Sequence, residues 1–320
     1  MTEKQHFIKA LKREPIIGHV PHFELVFYLT MESIGKVHPL YRSYSQWNQM
    51  SKHEQKLQMD DIADCYIEIA KKYHHSAIFI HQNPGNFENT VQLLETIREK
   101  SSDEYYIMMH GDPTFEIPNG DNMMEFSRLL FEEEDKVKEM AQNRLESSIQ
   151  WAEKLTKHPG LLDGFVLCSD YCFNVNPFFS PAMFSEYISP YLSKVLEEYR
   201  AMGYYTIKHT DGNIMPIVDQ IIECKPHALH SLDPQGGVDL KYMREHYSDK
   251  VALIGNVNCG LLQTGTEEEC VTDIRRSLHD GMAGYGYIFS TSNCAYTGLP
   301  LERYELMNKI WWEEGIYKQL

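Results

Sequence analysis

A histidine and an aspartate stand two positions apart where a short apolar run ends, a pairing able to ligate a metal ion or move a proton. In "YYTIKHTDGNIMP" (204–216) the β-branched and aromatic segment stops at His209. Asp211 follows, then Gly-Asn opens a new amphipathic run. As a bare pattern this reads equally as a turn with a helix cap. Two features favour metal chemistry. An i, i+2 pair leaving a strand end can direct both side chains into one mouth as the chain turns. Cys294 also lies in the polar stretch "STSNCAYTGLP", where a packing role for a thiol is unnatural. Zinc accepts N, O and S ligands, and a catalytic zinc site uses about three protein ligands with one position left open.

The elements that must position these residues alternate along the whole chain. Strand-like runs occur at 18–25, 77–81, 105–110, 164–168, 204–209, 227–231, 251–256 and 285–290. Between them lie runs with helical apolar spacing, among them 180–203, which opens on Ser180-Pro181 as N-cap and N1 and closes at Gly203. Eight strands each followed by helix predict a (β/α)₈ TIM barrel with N-terminal helical additions, a single α/β domain over 1–320. No Gly-rich turn follows the first strand, which argues against a doubly wound sheet. In a barrel the active groups sit at the C-terminal strand ends. Read in order, these are Glu24, His81, His110 with Asp112, Asp170 with Tyr171, His209 with Asp211, Asp233, Asn256 with Cys259, and Asn293 with Cys294. His81 and His110 read more simply as satisfied histidines near the mouth, and Cys168, on an apolar strand, as a small buried hydrophobe.

Composition narrows the function. A formal charge of −16 argues against a nucleic acid or an anionic membrane as partner, since both need a cationic face. No run is long and apolar enough to span a bilayer, and "MTEKQHFIKALKREP" lacks the apolar core of a signal peptide. Seven cysteines without a regular framework suggest reduced thiols in a cytoplasm. An acidic surface is compatible with a homodimer.

The segment from "DYCFNVNPFFSPAMFSEYISPYL" through "KHTDGN", with "LIGNVNCGLLQTGTEEEC" and "GYIFSTSNC" downstream, resembles the uroporphyrinogen decarboxylase superfamily, most closely from about Gly164 onward. The resemblance implies a (β/α)₈ barrel. The decarboxylases of that superfamily are metal-free and hold a polycarboxylate with an arginine-rich N-terminal loop. Here that region reads "PHFELVFYLTMESIGK", with no arginine and with Glu24 instead.

The other branch holds zinc-dependent, cobalamin-linked methyltransferases with a His-x-Cys and a later Cys as ligands. By position these fall on His209, Asp211 and Cys294, with Asp replacing the middle Cys. On that pattern Cys259 would supply a second sulfur, and Glu24 or Asp233 a fourth, displaceable oxygen ligand. The oxygen-richer set suits an oxygen substrate. The implied activity is transfer of a methyl group from a methoxylated compound, an aryl methyl ether, to the cob(I)alamin of a partner corrinoid protein. Asp170, Tyr171 or Glu24 would supply a proton or orient the substrate. Phe23, Phe27, Phe179 and Tyr296, with Asp233 and Asn256, would line the pocket. The alternatives are decarboxylation of the parent type and methylcobalamin:thiol methyl transfer.

Overall fold

The computed structural model describes residues 1–317. Strands β2 (Ala77–Ile80), β3 (Tyr106–His110), β4 (Gly164–Leu167), β5 (Tyr205–His209), β6 (Ala228–His230), β7 (Ala252–Ile254) and β8 (Tyr287–Ile288) form one parallel sheet in sequential order. The ring closes through residues 21–24. His22 bridges Phe289 in the parallel sense, and its carbonyl accepts the Ser76 N–H at 2.6 Å. The expected (β/α)₈ barrel is therefore present, as seven regular strands and one bridged segment. The expected first strand, 18–25, is divided instead. Gly18–His19 (β1) pairs antiparallel with Ile316–Tyr317 (β9), and Pro21, with no N–H to donate, cuts the ladder short.

Alternate side chains of the sheet point into the barrel. Ala77, Phe79, Tyr106, Met108, Val166, Ile207, Ala228, Ala252, Ile254 and Ile288 form one apolar cluster with Phe23 and Leu25. Phe7, Ala10 and Leu11 of the helix Glu3–Leu11 join the same cluster. Thr2 caps that helix with Gln5 in a reciprocal box. Phe7 packs on Tyr106 (centroids 4.7 Å apart) and edge-on to Phe23 (5.5 Å), closing the end where the strands begin.

Helices cover the outside. The helical run predicted over 180–203 is two helices, Pro181–Tyr187 and Ser189–Ala201, because Pro190 has no N–H to carry the first across the junction. Ser180 caps the first as expected. Among the described residues no helix is long and apolar enough to cross a membrane.

Only the end where the strands finish is left open, so inward side chains at that rim face a cavity instead of a packed core. Replacing Phe7 by Ala removes the plug from the other end. It should cost about 3–5 kcal/mol, measured as a lowered midpoint of denaturant unfolding, with no direct contact to the rim.

Candidate metal centre

Three side chains from two adjacent strand ends meet at the rim. The potential ligand atoms of Asp170, His209 and Asp211 lie within 4.8 Å of one another. His209 Nε2 is 3.7 Å from an oxygen of Asp170 and 3.7 Å from one of Asp211. These separations are too long for hydrogen bonds. They are close to the roughly 3.4 Å edge of a tetrahedron built on 2.1 Å metal–ligand bonds.

The ring nitrogens of His209 are set by its neighbour. His230 is fully buried, and burial, reinforced by His209, holds it well below the ordinary histidine range, so it is neutral. Its Nε2 lies 3.3 Å from the Thr291 carbonyl, which can only accept, so Nε2 carries the proton. Its Nδ1 is then an acceptor, and at 2.8 Å it takes the Nδ1–H of His209. In the neutral ring this places the one proton on Nδ1 and leaves Nε2 as a lone pair facing two carboxylates. A dication between them would convert this repulsive arrangement into a ligand set.

The carboxylates are held as firmly. Asp211 accepts from Ser231 Oγ at 2.6 Å through one oxygen and from Asn293 Nδ2 through the other. Asp170 accepts the Asp211 N–H at 3.1 Å. Burial raises the Asp211 carboxyl; His209 opposes the shift and the Asp170 charge adds to it. Gly212 follows with φ +77°, and a Cβ there would stand 2.5 Å from the Phe173 carbonyl. Only glycine permits this turn. Asp233 supports it by accepting the Gly212 N–H at 3.3 Å.

On the other face of β5, Lys208 is fully buried. Its ammonium donates to Asp112 Oδ2 at 2.7 Å and to the Ser169 carbonyl at 2.8 Å, and sits 3.9 Å over the Tyr171 ring. The same Asp112 oxygen accepts the Ser169 N–H at 3.0 Å. The ion pair thus grips both sides of Ser169, the residue before Asp170. Burial alone would raise the Asp112 carboxyl. The Lys208 ammonium and the bonds from Lys208, Thr114 and Ser169 hold it well below the carboxylate range.

The cluster borders a cavity of about 650 Å³ counted to its open mouth, lined by Leu25, Val26, Tyr28, Phe79, His81, His110, Cys168, His209, Asn293 and Cys294. No lysine or arginine is among these. Burial raises the Cys294 thiol.

The structure redistributes the residues anticipated from sequence. His209 and Asp211 come together as expected, and Asp170, read there as an acid, joins them. Cys294 lines the cavity but stands outside the three-residue cluster. Cys259 is buried, its thiol raised to about 12 by burial and directed at the Cys294 carbonyl (3.8 Å). Neither sulfur reaches the cluster, because the 294 loop brings Asn293 to Asp211 instead.

Glu24 is not at the mouth. It is buried, accepting Thr291 Oγ at 2.5 Å and the Thr291 N–H at 3.2 Å. Tyr171 is buried in the layer between sheet and helices, its hydroxyl bonded to Thr114 at 2.7 Å, so it is unavailable to a substrate. Phe23, Phe27 and Phe179 are buried core. Asn256 is a buried structural amide donating to the Leu232 carbonyl, and Tyr296 is tied to Gln263. Sequence reasoning missed His230, Lys208, Ser231 and the contact made by Asn293. Lysine inside an otherwise apolar strand was the available signal for Lys208.

The family described as uroporphyrinogen decarboxylase (URO-D) matches residues 117–311, and the chain belongs to that family. Its fold is similar to that of a methyltransferase from Methanosarcina mazei, at 16% identity and TM-score 0.74, covering 98% of this chain and 99% of that one. It is also similar to a putative vitamin-B12 independent methionine synthase from Listeria monocytogenes, at 10% identity and TM-score 0.55, with 94% and 97% covered. At such identities the likeness is one of fold. No curated protein matches.

The Lys208–Asp112 pair yields a pH-dependent prediction. Removing one partner of a buried pair costs about 3–5 kcal/mol, so Asp112→Asn should be destabilised by that order at neutral pH. The carboxyl is depressed in the folded state. Its contribution is complete above the unfolded value of about 3.9 and is lost as pH falls toward the folded value. The gap in unfolding free energy between wild type and Asp112→Asn should narrow as pH is lowered from about 5 to about 2.5, read by urea titration at each pH.

Proposed function

We propose that this protein is a metal-dependent methyltransferase acting on a methoxylated compound, an aryl methyl ether, with the cob(I)alamin of a separate corrinoid protein as methyl acceptor. The observation that carries the reading is the Asp170, His209 and Asp211 cluster set beside a cation-free, largely apolar cavity. One neutral nitrogen and two carboxylates suit zinc, and they make a harder set than thiolates would. Zinc held by these residues would supply Lewis acidity at the ether oxygen.

The chain's own groups do the rest. His230 holds the proton of the neutral His209 ring on Nδ1. Ser231 and Asn293 orient Asp211, and the Lys208–Asp112 pair orients the backbone that carries Asp170. Tyr28 and Phe79 offer apolar surface for an aryl ring and exclude water. Breaking the methyl–oxygen bond would leave both electrons on oxygen as the methyl group passes to the acceptor. The departing oxygen then needs a positive partner or a proton. Zinc would be that positive partner, and the cluster is open to solvent, the source of the proton, on the side of Asp170, whose side chain is 45% accessible.

Decarboxylation of a polycarboxylate is the poorer reading. The cavity wall supplies no arginine or lysine to bind several carboxylates. Thiol methylation draws no support from the cluster, whose members are nitrogen and oxygen donors.

The test is methyl transfer from 2-methoxyphenol to cob(I)alamin on its corrinoid protein, followed by cobalamin absorbance. Zinc-replete protein should be active, and chelation should abolish activity until zinc is restored. His209→Ala should lower the rate by about 100-fold or more. Full activity in metal-free protein would contradict the proposal.

A further inference from the structure

His81 is the first residue after β2, and its side chain lines the same cavity as His209. Its hydrogen bonds determine which ring nitrogen is free. The Tyr66 hydroxyl oxygen accepts the His81 backbone N–H at 3.1 Å. Among the described residues that hydroxyl's proton has a single acceptor within reach, His81 Nδ1 at 3.4 Å. Tyr66 is buried, and burial raises its phenol far above the ordinary range, so the proton stays on oxygen and is donated. Nδ1 is therefore unprotonated.

Burial, with His110 adding to it, pulls His81 down to about 4, so the ring is neutral and its proton is on Nε2. Among the described residues no protein group accepts that Nε2–H, and it is not one of the buried unpartnered atoms. It is presented to the cavity. Edge contacts with Phe79 and His38, both at 5.3 Å, fix the ring plane. His38 is itself locked, with Nδ1 accepting the Leu40 N–H at 3.2 Å. The cavity thus has a polarity of its own. His209, with Asp170 and Asp211 behind it, stands on one side, and a neutral donor stands on the β2 wall among Leu25, Val26 and Phe79.

We propose that His81 Nε2–H is the substrate-orienting donor of this cavity, binding an uncharged acceptor oxygen carried on the ring of the aryl ether, such as a phenolic hydroxyl. The proposal rests on the aryl ether reading above. A neutral donor satisfies a neutral oxygen. It does not compensate a carboxylate, which would lose hydration in a wall without a cation. The site should therefore select a methoxyphenol over both the unsubstituted ether and a methoxybenzoate. A donor-free wall would favour the plain ether, and a cationic one the benzoate.

The experiment is calorimetric titration of the zinc-replete full chain, without corrinoid protein, using 2-methoxyphenol, methoxybenzene and 2-methoxybenzoate. In wild type 2-methoxyphenol should bind tightest. His81→Phe should erase its advantage, about 3- to 10-fold for one neutral hydrogen bond, with methoxybenzene unchanged. His81→Gln, which keeps an N–H donor, should retain part of the advantage, and methoxybenzene binding shows that both variants are folded. The same selectivity in His81→Phe as in wild type, tightest binding of the benzoate, or binding of none of the probes would overturn the proposal. Binding needs no methyl acceptor, so selective binding without methyl transfer would fail the functional reading alone. Methyl transfer with selectivity intact in His81→Phe would fail this one alone.

Discussion

In its neutral form His209 turns a bare nitrogen toward two carboxylates, because its one ring proton is committed to His230. That commitment runs further back than one contact. His230 is fixed in its tautomer by the Thr291 carbonyl, and Thr291 is fixed by Glu24, which accepts from both its hydroxyl and its N–H. Glu24 belongs to the bridged segment that closes the ring against β8. Closure of the barrel and the tautomer of His209 are thus parts of one chain of contacts. An imidazole so oriented is worth more as a ligand than a free one, because the direction of its lone pair is settled before any ion arrives.

The second constraint acts from outside the barrel. Lys208 and His209 are consecutive on β5 and point to opposite faces, as strand alternation requires. Inside, His209 faces Asp170 and Asp211. Outside, Lys208 with Asp112 grips the backbone before Asp170. One strand therefore places one candidate ligand directly and a second through an ion pair. Such a pair is weak evidence for stability, since desolvation offsets most of its attraction. Its definite effect is positional: it fixes the Ser169 peptide through both its N–H and its carbonyl.

The fold was largely legible. Eight β-branched or aromatic runs separated by helical spacing specify a barrel, and seven of them are regular strands within one or two residues of the expected limits. The first was misjudged because apolar pattern does not register the missing N–H of Pro21. The site was legible only in part. His209 and Asp211 stand out because strand alternation sends the last residue of a buried strand to the rim. Asp170 was read as a proton donor or substrate-orienting acid but not as a neighbour of His209, since its approach depends on a buried pair, Lys208 and Asp112, 96 residues apart in the chain. The cysteines misled for a related reason. Cys294 follows the correct strand, yet the loop turns Asn293 to the carboxylate, and a one-residue difference in register is invisible in composition. His230 could have been found. It ends the strand next to β5, in register with His209.

The central claim is that the rim cluster binds a metal through nitrogen and oxygen alone. X-ray absorption at the zinc edge of the reconstituted protein tests it most directly. The account predicts one bound zinc with light scatterers only, at about 2.0–2.2 Å, and loss of the imidazole contribution in His209→Ala. A sulfur shell at about 2.3 Å, placing Cys294 or Cys259 on the ion, or protein that retains no zinc, would contradict it.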